Sequence, residues 1–288
     1  MKLRLYIKKN RLLLISTFVS LILFFYWQNN DITITTIPYS NEKIPEAFQG
    51  FKILQVSDLH NKEFGRNQAK LVKLTKKIKP DIIVITGDMI DSHHTNINIS
   101  MDYIRQVLKI APVYFVTGNH EKWSDKYSEL KKQLLEAGTV IMDNQAMLLT
   151  RNKKSIVLMG LGDPFPLTQK EEINECLSKM ADSVSNQVAD TFKILISHRP
   201  ELIDIYAANK IDLVFCGHAH GGQFRIPFVG GIYAPNQGFL PKYTSGLTLK
   251  ISTSMVVSRG LGNSVIPVRI FNRPELVVVT LSNTKENH

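Results

Sequence analysis

Between Phe51 and Cys216 the chain repeats one unit: an apolar run of strand length, a polar cluster, and then, in most cases, a helical stretch. The runs are KILQVS, DIIVIT, PVYFVT, SIVLMG, FKILIS and DLVFC. Runs this continuously apolar belong to a sheet covered on both faces. Helices predicted over Gln68–Lys79, Met101–Ile110, Lys126–Ala137 and Gln169–Met180 supply the cover, and in the first of them Leu71, Leu74 and Ile78 share one face. The expected fold class is therefore α/β, built from layers of sheet and helix. Two later runs, STSMVVS and ELVVVTL, close the domain, and the alternating DITIT at residues 31–35 reads as a short lead-in strand. The stretch GGQFRIPFVGGIYAPNQGF, rich in Gly, Pro and aromatics, reads as a long loop. No internal repeat or low-complexity tract interrupts this order. The expected organisation is a first segment over 1–30, a linker and lead-in strand over 31–50, and one domain over 51–283.

The first thirty residues differ from the rest. Lys2, Arg4, Lys8, Lys9 and Arg11 supply half of the net charge of +10, and no acidic residue accompanies them. From Leu12 to Asn30 there is no charge, a length near the roughly 20 residues that cross a bilayer as a helix. Tyr6 and Trp27 suit the two interfaces, and the basic flank predicts residues 1–11 on the cytoplasmic side with the remainder outside. A cleaved signal peptide is the competing reading, but no small-x-small site follows the apolar core. The sequence thus predicts a single-pass anchor in the cell membrane. The domain beyond carries only a mild positive excess and no basic run interleaved with aromatics, so no nucleic-acid partner is expected. Cys176 and Cys216 are the only cysteines, and Cys216 ends an apolar run, which predicts a buried thiol rather than a disulfide framework.

Five apolar runs end in residues able to bind a metal. KILQVS leads to Asp58 and His60, DIIVIT to Asp88, PVYFVT to Asn119 and His120, FKILIS to His198, and DLVFC to His218 and His220. Ligands of α/β sheets bind outside the carboxyl ends of strands, so all five ends are expected to converge. Each alone has an ordinary explanation, a surface histidine or a Gly-Asp turn; turn chemistry does not readily give five at equivalent positions. Asp58 and His60, two apart, could face one ion from extended backbone. Asp88 offers two oxygens that can bridge ions about 3.5–4 Å apart. Asn119 adds a neutral oxygen, and His218 and His220 can each reach one ion. With no thiolate the set does not suit a closed structural zinc site; two divalent ions, Mn²⁺, Fe or Zn²⁺, fit imidazole and carboxylate ligands.

The ordered motifs Asp58-Leu59-His60, Gly87-Asp88-Met89-Ile90-Asp91, Gly118-Asn119-His120-Glu121, His198 and Gly217-His218-Ala219-His220 resemble the calcineurin-like metallophosphoesterase superfamily. The resemblance implies a four-layer sandwich, two mixed sheets flanked by helices. It implies a first metal on Asp58, His60 and His220, a second on Asn119, His198 and His218, and Asp88 between them. It further implies that His120, as an imidazolium, faces the substrate phosphate and that Asp91 holds its ring. Water activated by the metal pair would attack phosphorus in line.

Within the superfamily, Ser92-His93 stands where protein Ser/Thr phosphatases continue with Arg-Gly, and no Tyr ligand of the purple acid phosphatase kind follows Asp91. The motifs GHAHGGQFRIP and VVSRGLGNSVIPVRIFNRPEL resemble a bacterial branch of membrane-associated phosphodiesterases, the YkuE-like and YaeI-like proteins and enzymes of acylated UDP-glucosamine among them. That implies a phosphodiester or diphosphate of a lipid-linked or cell-envelope substrate. Phosphomonoester hydrolysis and a non-catalytic, metal-stabilised surface-binding domain are the alternatives. Arg199, Arg225 and Arg259 are candidates either for a substrate phosphate or for surface ion pairs, and His93 and His94 read as a solvated loop pair.

Overall fold

A computed structural model describes residues 2–164, 170–185, 191–263 and 267–283. The side chains of Tyr6 and of the basic tail through Lys9, and residue Gln169, lie outside the described residues. Helix α1 (Lys2–Asn30) is followed by β1 (Thr33–Ser40), β2 (Lys52–Val56), α2 (Ala69–Ile78), β3 (Ile82–Ile85), α3 (Ile97–Val107), β4 (Val113–Phe115), α4 (Asn119–Trp123), α5 (Tyr127–Ala137) and β5 (Val140–Ile141). The second half holds β6 (Gln145–Arg151), β7 (Lys154–Gly160), α6 (Lys170–Ser185), β8 (Lys193–Ile196), α7 (Ile203–Ala208), β9 (Leu213–Cys216), β10 (Arg225–Ile226), β11 (Gly230–Gly231), β12 (Tyr233–Ala234), β13 (Gly238–Phe239), β14 (Gly246–Lys250), β15 (Thr253–Val257) and β16 (Glu275–Ser282).

Twelve strands form two six-stranded mixed sheets, ordered β1-β16-β2-β3-β4-β5 and β14-β15-β9-β8-β7-β6. Strands β2 to β5 run parallel, as do β7, β8, β9 and β15; β6 and β14 are antiparallel edges. The apolar runs work as the sequence predicts. In β3, Ile83 and Ile85 face a core shared with α2, α3 and α5, while Ile82 and Val84 face the other sheet. A third core lies between the second sheet and α6 and α7, around Met159, Leu195, Val214, Leu177 and Tyr206. Three cores separate four layers, helix, sheet, sheet and helix.

Several elements differ from the sequence reading. The lead-in strand spans eight residues, and β1 pairs in parallel with β16 from Thr33↔Glu275 to Ser40↔Ser282. Helix α3 starts at Ile97, where the Asn96 side chain accepts from the Asn98 N–H as an N-cap. The segment expected as one long loop contains two short ribbons, β10–β11 and β12–β13. Helix α1 is long and apolar enough over Asn10–Asn30 to cross a membrane. Only its last turns are covered: Gln28 is buried, and Asn29 Oδ1 accepts from the Arg269 N–H at 2.8 Å.

Candidate metal centre

Three strands of the first sheet (β2, β3, β4) and two of the second (β8, β9) bring their carboxyl ends to one edge of the sandwich. The sheets are joined there by Gln55, whose amide donates to the Cys216 carbonyl at 2.8 Å and to Thr86 Oγ1 at 3.0 Å. All seven ligand candidates and His120 are buried at this edge. Five of the seven, Asp58, His60, Asp88, His218 and His220, have left-handed backbone with φ between 45° and 64°. Asp58 and His60 therefore converge through tight turns rather than through the extended geometry expected from their spacing. Such φ values cost an L-residue roughly 1–2 kcal/mol each and persist only where the surroundings over-determine them. The turns also pack against each other. A Cβ on Gly118 would lie 2.2 Å from Asp88 Oδ1, so the β4 loop can pass the Asp88 side chain only with glycine there.

The donor atoms of the ligand candidates fall into two groups that share one carboxylate, and His60, Asp91 and His120 form a third cluster beside the first. Asp58, His60, Asp88 and His220 form the first, and Asp88, His198 and His218 the second. In the first, His60 Nε2 and His220 Nε2 face each other at 3.2 Å, and His220 Nε2 lies 3.5 Å from Asp58 Oδ1. In the second, His198 Nε2 lies 3.1 Å from both His218 Nδ1 and Asn119 Oδ1. Asp88 Oδ2 is 3.5 Å from His60 Nε2 and 3.1 Å from His198 Nε2, so one oxygen reaches both groups. Asp58 Oδ2 is buried with no hydrogen-bond partner. Inward-facing imidazole nitrogens and an orphaned carboxylate oxygen are a donor set for divalent cations, and the residues fit such ions.

Two of the four outward ring nitrogens, on His198 and His218, are held by hydrogen-bond acceptors, which fixes those tautomers, whereas His220 Nδ1 has no partner. His198 Nδ1–H donates to the Thr86 carbonyl at 2.7 Å, leaving Nε2 free to ligate. His218 Nε2 lies 2.9 Å from Asn236 Oδ1, leaving Nδ1 inward. His60 Nδ1 lies 3.5 Å from Asp91 Oδ2. Burial opposes charge on His198, but the Asp88 and Asp58 carboxylates raise it to about 10. His218 and His220 are driven well below the usual imidazole range by burial and by neighbouring cations, His198 beside the one and His60 beside the other.

His120 sits beside the first group, its ring edge-on to His60 at 4.4 Å. Its Nδ1 accepts from the Ser92 N–H at 3.1 Å and contacts Ser92 Oγ at 3.2 Å, whereas Asp91 Oδ2 is 3.8 Å away. The nearest groups to Nδ1 thus belong to Ser92, and Asp91 lies closer to His60. An N–H donor on Nδ1 puts the proton of the neutral ring on Nε2. Burial lowers this histidine to about 4 against the pull of Asp88, so without metal its ring is neutral.

Glu121, in the sequence only the last member of the Gly118-Asn119-His120-Glu121 motif, ties the loops together. Its buried Oε2 accepts from the N–H groups of Gly118 and Asp88, both at 2.8 Å. Its Oε1 accepts from Met89 at 2.8 Å and Ile90 at 3.3 Å. Burial and the nearby Asp88 push this carboxyl up to about 7, against the backbone donors that favour its anion. Ser92 and Asn236 were also missed. The first signal was present, a Glu two residues after a ligand at the start of α4, where a carboxylate can accept from a helix N-terminus.

Of the arginines, Arg199 is buried and makes a bidentate pair with Asp163, at 2.6 and 3.2 Å, with Nη1 on Asn236. Arg225 donates to the Gly221 carbonyl, and Arg259 pairs with Glu275 at 2.9 Å. All three serve the protein's own framework. His93 and His94 are exposed, and Cys216 is a buried free thiol.

The calcineurin-like phosphoesterase profile matches residues 51–222. The chain is 31% identical over 268 residues to the metallophosphoesterase YkuE of Bacillus subtilis, covering 90% of this chain and 88% of that one. It is 28% identical to the phosphodiesterase YaeI of Escherichia coli, covering 80% and 82%. A transmembrane protein with a metallophosphoesterase domain from Danio rerio is 25% identical over 83% of this chain and 55% of its own length. Among solved structures, TT1561 of Thermus thermophilus shares the fold with a TM-score of 0.50 at 13% identity, over 74% of this chain and 91% of that one. Two ligand groups at the carboxyl edge of a two-sheet sandwich stand on the stretch that the profile matches, and the chain belongs to the calcineurin-like phosphoesterase family, a phosphoesterase hydrolase.

Proposed function

We propose that this chain is a dinuclear, metal-dependent phosphodiesterase or diphosphate hydrolase, held at the cell membrane by α1 with its catalytic domain on the extracytoplasmic side. The observation that carries the reading is Asp88 Oδ2, one oxygen within 3.5 Å of an imidazole nitrogen from each ligand group. Asp58, His60 and His220 would hold one ion, Asn119, His198 and His218 the other, with Asp88 common to both. When bound, such a pair supplies activated water and charge neutralisation at phosphorus. The protein's own groups do the rest. Thr86 and Asn236 orient two ligand rings, and Asp91 faces the outer nitrogen of His60. His120, with Nδ1 occupied by Ser92, presents Nε2–H as a donor to a phosphoryl oxygen or to the leaving oxygen. The diester preference and a lipid-linked or envelope substrate rest on the likeness to the YaeI phosphodiesterase and on the apolar helix α1.

Purified protein with Mn²⁺, Fe²⁺ or Zn²⁺ should hydrolyse bis-p-nitrophenyl phosphate faster than p-nitrophenyl phosphate. Faster turnover of the monoester overturns the diesterase assignment, and no metal-dependent turnover of either overturns the enzymatic reading.

A further inference from the structure

We propose that the segment Ile226–Val229, together with Phe271, is a second membrane-contact element that enters the lipid surface beside α1. This deepens the anchor reading above and rests on it.

From Ile226 to Pro241 sixteen consecutive residues carry no charge. The segment nevertheless sits outside: Phe228 is fully exposed, and Val229 and Phe271 are 62% and 53% exposed. The adjoining turn adds Phe239 and Leu240, at 80% and 70%, with the Leu240 N–H bonded to the Ile232 carbonyl. Soluble surfaces rarely gather large apolar side chains in this way without a partner.

The position of α1 names the partner. The Phe24 ring packs edge-on against Phe271, with centroids 5.7 Å apart. Phe271 in turn shares one concavity with Arg225, Ile226, Phe228 and Val229. Phe24 lies three residues before Trp27, about 4.5 Å further along the helix axis. If Trp27 marks the interface, as such rings do, Phe271 lies at acyl-chain depth. Any orientation that buries Phe24 in lipid carries Phe271 and its neighbours to that level. The helix cannot swing away freely, because Asn29 bonds both backbone groups of Arg269, and Lys62 and Lys70 reach the Asn29 and Asn30 carbonyls. At the same level Arg273 stacks over the Trp27 ring at 4.8 Å and pairs with Asp31.

Ile226 follows His220 by only six residues, so this element begins at the metal centre itself. Its insertion sets the ligand edge against the bilayer surface. A phosphate ester whose apolar part stays in the lipid could then present its phosphorus to the site.

The full chain is tested in phosphatidylethanolamine/phosphatidylglycerol vesicles, in a Cys176→Ser background where Cys216 is buried and unreactive. Phe228→Cys, Val229→Cys, Phe18→Cys and Leu135→Cys each carry an NBD label. Labels at 228 and 229 should shift to the blue and be quenched by lipid nitroxides near the headgroup, matching insertion of about 5–10 Å. The label at 18 should respond to nitroxides deep in the acyl chain, and the label at 135 should report water. A label at 18 in lipid with both 228 and 229 in water overturns the proposal and leaves the anchor standing. A label at 18 in water overturns the anchor reading, and this inference with it. Blue shifts at 228 and 229 that vanish as protein per vesicle falls would mean a second copy covers the patch, which also overturns the proposal.

Discussion

Replacing Glu121 by Gln keeps shape and volume while converting one of two acceptor oxygens into a donor. In the native chain Oε2 accepts from Gly118 and Asp88, and Oε1 from Met89 and Ile90. Either orientation of the amide therefore turns an NH₂ toward two buried backbone N–H groups. Each orphaned buried donor costs about 1–3 kcal/mol, so the substitution should destabilise by about 2–6 kcal/mol. Relief of the repulsion between Glu121 and Asp88 works against this and favours the lower half of the range. A loss of about 3 kcal/mol is a large share of a typical domain's stability and lowers Tm by roughly 6–12 °C for a domain of this size. Differential scanning calorimetry of the metal-loaded and chelated protein reads the effect. The loss should appear in both forms, because the clamp is backbone architecture rather than a metal contact. A change below about 0.5 kcal/mol at pH 8.5, above the value of about 7 to which burial raises this carboxyl and within the range of ordinary surface substitutions, would refute the idea that an ionised Glu121 holds the two loops together.

Other substitutions separate the roles proposed at the site. Asp88→Asn should remove the shared ligand, so that metal content by elemental analysis falls and turnover drops by at least about 10²-fold, the scale of losing one strong electrostatic stabiliser. Asn236→Ala should weaken metal binding by about 10–100-fold through His218, read by competition with a chelator, and should leave the first ligand group intact. His120→Ala should keep both metals yet slow turnover by about 10²–10³-fold, the scale of losing one preorganised donor to developing charge on a phosphoryl oxygen, on alkyl and p-nitrophenyl esters alike. Metal binding should also fall with pH, since imidazoles ligate only when deprotonated. Burial opposes the charge of His198, yet the Asp88 and Asp58 carboxylates raise it to about 10, so an ion must displace that proton, and the metal-dependent increment in Tm should grow as pH rises from about 6 toward 10 and shrink as pH falls.

Much of the centre was legible because the fold repeats one positional rule. A strand buried on both faces must be apolar along its length, so the first polar residues after it mark its carboxyl end, as with Asp58 after KILQV and His218 after LVFC. What the sequence hides is short, half-exposed or long-range. β5 is two residues long, and β14 alternates intermediate and exposed positions, so neither stands out as a buried run. Asn236 reaches His218 across eighteen residues of a Gly- and Pro-rich segment that encodes no periodicity. The left-handed backbone at five ligand positions is only faintly signalled by residue type, because Asp and His enter positive φ more often than most L-residues but still in a small minority of cases. That conformation follows only from packing of neighbouring turns such as Gly118 against Asp88. That Ser92 lies nearer than Asp91 to His120 Nδ1 has the same cause: the identities were legible, but the angle of the turn was not.

Anomalous diffraction at the metal edges, from crystals of protein purified without chelator, tests the central claim most directly. The account predicts two peaks about 3.5–4 Å apart, one among Asp58, His60 and His220 and one among Asn119, His198 and His218, with Asp88 contacting both. A single peak, or two peaks that do not share Asp88, would contradict it.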